Sequence, residues 1–110
     1  MRNPKDRLTD MLEAIDNIER YAGRGRVAFE QDELIQNWFI HHIQIIGEAA
    51  AKIDRSFHLD HPQISWAQII AMRNILVHDY FGIDLEAVWG VVERDLPELK
   101  RRIKEVIEYI

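Results

Sequence analysis

The sequence predicts an all-α domain. Apolar residues recur at three- and four-residue steps along most of the chain, and helix-capping residues stand at the heads of these runs. No stretch alternates with the period of two that a half-buried strand requires, and no internal repeat or linker interrupts the pattern. With 110 residues, 47% of them hydrophobic and 30% charged, the expectation is one ordinary globular domain, residues 1–110, with a real core. Four to five helices in an up-and-down bundle fit that length.

Asn3-Pro4 reads as an N-cap followed by proline at the first helical position, where its missing N–H is no loss. Leu8, Met11, Leu12, Ile15 and Ile18 then follow at helical spacing, so a first helix runs to about Tyr21, and Gly23 and Gly25 stop it. Arg24 and Arg26 make this turn basic, and a solvated connection is the expected reading. The second helix spans about Gln31 to Ile53, with Ile35, Trp38, Phe39, His42, Ile46, Ala49 and Ile53 as its main stripe and Leu34, Ile45 and Ala50 widening it. Gly47 within it predicts a close helix crossing. Glu48 reads either as a surface carboxylate or as an inward-facing partner for an arginine elsewhere. His41 and His42 diverge by about 100° on a helix, so they do not chelate one metal and read as solvated or core-edge. His58, Asp60 and His61 fall in a segment expected to be a loop, Asp54 to Ile64, and lack a third strong ligand for a metal.

Ser65-Trp66-Ala67-Gln68 has the form of a capping box, so the next helix starts near Trp66 and is expected to run to Gly82. On a helical projection Trp66, Ile69, Ile70, Leu76, Val77, Tyr80 and Phe81 share one broad arc, with Arg73 in its middle. Ala67, Ala71, Asn74 and His78 form a neighbouring strip of small and polar residues, which would let a second helix approach closely. So little surface remains for water that this helix is expected at the centre of the fold. Asn74 and His78 are four apart and can touch, whereas Arg73 and His78 diverge by about 140°. A second copy of the helix could complete a site that needs both. Read from spacing alone, the pair could equally be a buried Arg–Glu contact and a helix-end histidine that fix packing.

Asp84 is the next N-cap, followed by Leu85, Val88, Trp89, Val92, Leu96, Leu99, Ile103, Val106, Ile107 and Ile110 at helical steps. Asp95-Leu96-Pro97-Glu98 has the D-x-x-E form of a capping box, so a break near Asp95 is expected. The basic residues from Lys100 to Lys104 interleave with glutamates, the pattern of a solvated mixed-charge face.

Composition narrows the function classes. No apolar run approaches the roughly 20 residues that span a bilayer. Met1 to Asp6 is polar and leads directly into a helix, which predicts a cytoplasmic chain with no secretory signal. The absence of cysteine excludes disulfides and thiolate metal sites. A net charge of −5 argues against nucleic-acid binding by the whole surface, while leaving room for a small basic cleft and a basic partner.

Arg73-Asn74, three residues and His78 resemble the Arg-(four to six residues)-His motif of HEPN domains, with the polar residue usual after the arginine. His78-Asp79-Tyr80 extends the resemblance to the Arg-x4-His-x-Tyr form of the HepT branch. Ile46-Gly47-Glu48-Ala49-Ala50, Val77 to Gly82 and Asp95-Leu96-Pro97-Glu98-Leu99 are also similar to that branch, so the likeness covers essentially the whole chain in order. It implies a homodimeric HEPN-type helical bundle. It also implies the toxin of a type VII-like two-gene toxin–antitoxin module, whose antitoxin is a small nucleotidyltransferase-fold (MNT) protein.

Metal-independent RNA cleavage needs a base for the 2′-hydroxyl, an acid for the leaving 5′-oxygen and a cation for charge developing at phosphorus. His78 can serve as base or acid near neutrality, and Arg73 can hold two phosphate oxygens. Asn74 and Glu48 would support them. One histidine cannot be base and acid at once, and the resemblance supplies the second through a dimer. It also implies that Tyr80 accepts AMP from the antitoxin, placing bulk and negative charge beside Arg73. The expectation is therefore an endoribonuclease acting on RNA, tRNA among its candidates, with no metal or other cofactor and no membrane association. Two other classes remain open: a non-catalytic HEPN subunit that binds a nucleotide or positions a nucleotidyltransferase, and a purely structural helical dimer.

Overall fold

The computed structural model describes residues 2–75, 77–78 and 82–110, with the backbone alone at 73–75, 77–78 and 83. Among these the fold is an all-α bundle, as expected. Four long helical runs dominate: α1 (Pro4–Ala22), α3 (Glu33–Lys52), α5 (Trp66–Ile75) and a run unbroken from Leu85 to Tyr109. That last run comprises α6 (Leu85–Gly90), a π-helical turn (Val91–Asp95) and α7 (Leu96–Tyr109). Two short helices, α2 (Arg26–Gln31) and α4 (Arg55–Asp60), occupy connections, the second in the segment expected to be a loop.

The starts follow the caps. The Asn3 side chain accepts from the Asp6 N–H at 2.9 Å while the Asp6 carboxylate accepts from the Asn3 N–H at 3.4 Å, a reciprocal box with Pro4 in the first turn. Asp32 caps α3 by accepting from the Leu34 N–H, and Asp84 caps α6 by accepting from the Ala87 N–H. Gly25, at φ 93°, takes the left-handed conformation that lets the chain leave α1 and enter α2. Arg24 lies over the Tyr21 ring and Arg26 pairs with Glu30, so this basic turn is bound up locally.

The core forms around α3, whose main neighbours are α1 and α5. Phe39, Ile43, Ile46 and Ala50 on α3 are fully enclosed, against Leu8, Met11, Ile15 and Ile18 of α1. Phe29 from α2 stacks on Phe39 at 5.4 Å and approaches Trp89 at 5.5 Å, joining the two ends of the chain. Leu96, Leu99, Ile103 and Val106 form the buried stripe of α7. Lys100 ties α7 to α1 through Glu19 and Asp16, at 2.6 and 3.3 Å. The helix starting at Trp66 is thus not the central one: α5 buries Trp66, Ile69 and Met72 but exposes Ala67, Gln68 and Ala71.

Two expected boundaries move. The helix from Trp66 ends at Ile75 rather than at Gly82. Val77 and His78 instead pair antiparallel with Ile83 and Gly82, two rungs too short to register as a periodic pattern. β-Branched Ile75, Val77 and Ile83 lose side-chain freedom in a helix and suit extended backbone, and Gly82 supplies a φ of 90°. Near Asp95 the expected break is absent. Asp95 is itself helical and makes no side-chain cap, and the Leu96 N–H reaches back to the Val91 carbonyl across a widened π turn. That extra residue per turn accommodates Pro97, which has no N–H to give.

Candidate functional site

Arg73 and Asn74 lie in the last turn of α5, and His78 stands just beyond it, in the extended Val77–His78 segment. The motif therefore straddles a helix end. His78 is not helical, so neither the four-residue helical spacing of Asn74 and His78 nor the expected divergence of about 140° between Arg73 and His78 describes the backbone here. Tyr80, the expected AMP acceptor, lies outside the described residues. So do the side chains of Arg73, Asn74 and His78.

Glu48 is described, and it is exposed on α3 rather than inward-facing. It lines a cavity of about 230 Å³ between α1 and α3, together with Arg7, Asp10, Glu13, Asn17, His42 and Lys52 over a floor of Ala14, Ile45 and Ala49. His42 is 7% exposed, and neither ring nitrogen has a hydrogen-bond partner; the Nε of Arg7 is likewise buried and unpartnered. Burial first, then the neighbouring charges of His41 and Arg20, pull the His42 imidazole below its ordinary value. The His42 ring packs edge-on to Trp38 at 4.4 Å, while Trp38 donates its indole N–H to the Asn17 carbonyl at 2.7 Å. His42 belongs to the apolar stripe of α3 in the sequence, which is how it reads there as core-edge. Its convergence with Arg7 and Glu13 depends on the α1–α3 crossing and has no signal in spacing.

His58 and His61 have structural roles. His58 stacks on Trp66 at 4.3 Å and its Nε2 lies 2.9 Å from the Ala50 carbonyl oxygen, pinning α4 to α3 and α5. The His61 carbonyl accepts the Trp66 indole N–H at 3.0 Å. Among the described residues no group of three histidine, aspartate or glutamate side chains is placed to hold a metal ion. No described helix is long and apolar enough to cross a membrane.

A family model described as "Ribonuclease HepT-like" matches residues 11–106, which contain Glu48, Arg73, Asn74, His78 and Tyr80. The chain belongs to the HepT-like ribonuclease family. It is 37% identical over 108 residues to a protein of Thermococcus cleftensis named "Probable ribonuclease HepT", covering 96% of each chain. A Methanocaldococcus jannaschii protein named as a "Putative RNase" is 36% identical over 106 residues, covering 96% of this chain and 97% of the relative. Another bearing that description, from Caldanaerobacter subterraneus, is 30% identical over 109 residues, covering 98% and 97%. No solved structure matches the chain. The HepT-like chain thus has the HEPN-type bundle that its motif implied, and the motif falls within the matched region.

Proposed function

We propose that this HepT-like chain is a metal-independent endoribonuclease, the toxin of a toxin–antitoxin module. The family match over residues 11–106, spanning the Arg-x4-His-x-Tyr motif, carries this reading. In it, the Arg73 guanidinium binds the scissile phosphate and stabilises charge as the 2′-oxygen attacks phosphorus. His78 takes the 2′-hydroxyl proton or gives one to the leaving 5′-oxygen, and its counterpart in a second copy does the other. A helix end between Arg73 and His78 suits that division, because the histidine is not bound to the rigid register of α5. Asn74 supports the site from the last turn of α5. Glu48 supports it from α3, through the substrate rather than through burial against Arg73. An MNT nucleotidyltransferase antitoxin neutralises the enzyme by transferring AMP from ATP to the Tyr80 hydroxyl, which loses its proton as pyrophosphate leaves.

Cleavage of total tRNA by the purified chain in the presence of EDTA tests the reading. Arg73→Ala and His78→Ala should each abolish cleavage and toxicity while leaving the circular-dichroism spectrum near normal. Arg73→Lys should restore only part of the activity, since an ammonium lacks the planar two-toothed fork. Loss of the helical signal in these variants would make the residues structural, and cleavage that needs a divalent ion would overturn the mechanism. Mass spectrometry of the chain co-expressed with its antitoxin tests the switch. Tyr80 should carry AMP, and Tyr80→Phe should stay active and escape neutralisation.

A further inference from the structure

We propose that the cavity between α1 and α3 is a nucleobase pocket whose edges match guanine, which would give the nuclease a base preference. The proposal rests on the ribonuclease reading for the source of the base, an RNA substrate, and on the cavity itself for the rest. Folded proteins leave few buried polar atoms without a partner. Here three of them, Arg7 Nε and both nitrogens of His42, belong to side chains lining one cavity. Each of these atoms has almost no exposed surface, so a hydrogen-bonding molecule would reach them as the Arg7 and His42 side chains turn into the cavity.

Charge and size select its class. Arg7, Lys52, Glu13 and Glu48 all line the cavity, while the remaining carboxylate, Asp10, is paired with Arg2. Two cations against two free carboxylates favour neither a phosphate nor a cation, and the described side chains form no metal-binding group. A neutral molecule bearing both donors and acceptors satisfies all of them. At about 230 Å³ the cavity is smaller than the roughly 300–1,000 Å³ of drug-sized sites, with room for one ring system rather than a whole nucleotide. Ala14, Ile45 and Ala49 give the ring an apolar floor.

Among the RNA bases the polar groups choose guanine. Its N1–H and N2 amino group present two adjacent donors, which a carboxylate of Glu13 or Glu48 accepts in parallel, as it would a guanidinium. Its O6 and N7 present two adjacent acceptors, the pair that arginine reads with two donors. Adenine and cytosine place an acceptor beside their amino group, which a carboxylate repels, and uracil flanks its one N–H with two carbonyls. Neutral His42 keeps one donor and one acceptor for the base or its ribose.

Guanosine, a nucleoside without phosphate, titrated into the full chain tests this by nuclear magnetic resonance of the His42 ring nitrogens and the α1 and α3 amides. Saturable shifts centred on His42 are expected with guanosine, and at least tenfold weaker binding with adenosine, cytidine and uridine. Inosine, which keeps N1–H and lacks the amino group, should bind more weakly than guanosine. The double variant Glu13→Gln, Glu48→Gln changes two exposed side chains, so it should keep the fold and lose guanosine binding at least tenfold. No shift with any nucleoside would leave a solvent-filled cavity and overturn the proposal, and equal affinity for all four would overturn the choice of guanine. Cleavage without guanosine binding would sink the pocket alone, whereas guanosine binding without cleavage would sink the ribonuclease reading alone.

Discussion

His42 contributes to the pH response of the folded state. Its pKa is lowered in the native chain, by burial first and then by His41 and Arg20, whereas in the unfolded chain it returns to about 6.5. The unfolded chain therefore takes up a proton first as pH falls, so His42's contribution is complete above about 6.5 and is lost on descending through the lower native value. Urea midpoints should stay level from about pH 8 to 7 and drop towards pH 5, and His42→Gln should flatten that drop. A midpoint in the variant that falls as steeply as in the wild type would assign the response to other groups. The same residue marks a limit of the sequence. The sequence places His42 on the α3 stripe, but the arginine and glutamate that face it come from a helix some 30 residues earlier. Arg73, Asn74 and His78 stand out as candidates for the opposite reason, since their motif is contiguous. What spacing could not supply was their arrangement, because a helical projection fails once the helix stops at Ile75.

At the scale of elements, the starts were legible and two of the ends were not. Asn3, Asp32 and Asp84 act on backbone N–H groups two or three residues ahead, so their effect is local and written in order. Asn3→Ala should accordingly cost about 1 kcal/mol in denaturant unfolding. The run from Leu85 to Tyr109 is different, because a capping motif at Asp95 competed with continuous apolar spacing on both sides of it. Burial of Val88, Val91, Val92, Leu96 and Leu99 along one unbroken helix won, and the π turn relieved Pro97. Gly90, just before that turn, gives a prediction whose sign follows from which atom would be crowded. A Cβ there would meet only the Arg94 guanidinium, 2.6 Å from Nη2, and that is the mobile end of an exposed side chain. The backbone at Gly90 is already helical, at φ −58° and ψ −42°. Gly90→Ala should therefore let Arg94 swing aside and stabilise the chain by up to about 1 kcal/mol, read as a rise in urea midpoint. A fall instead would mean that the guanidinium is held where it lies.

At the scale of the whole molecule, the two-proton chemistry proposed for His78 calls for a second copy, and α5 offers the face for it. Ala67 and Ala71 are exposed one helical turn apart, on the same helix that carries Arg73. Alanines on both sides of a two-fold axis would let the axes approach to about 8 Å, the near end of the usual range for packed helices. On the α5 projection Arg73 lies about 140° from the middle of that alanine strip, so its long stem would have to reach round the helix to enter a cleft shared with the second copy. Ala71→Arg tests the pairing cleanly, because an arginine at an exposed position away from the core should change monomer stability by no more than about 0.5 kcal/mol. Across a close two-fold contact, however, it would bring two guanidinium groups together without partners. Sedimentation at micromolar concentration should give a dimer for the wild type and a monomer for Ala71→Arg, with cleavage lost, the helical circular-dichroism signal kept and the thermal midpoint lowered only by the dimer's contribution. A variant that stays dimeric would move the interface off α5. A wild type that sediments as a monomer and still cuts RNA would require one chain to handle both protons, and the shared-cleft mechanism would fail with it.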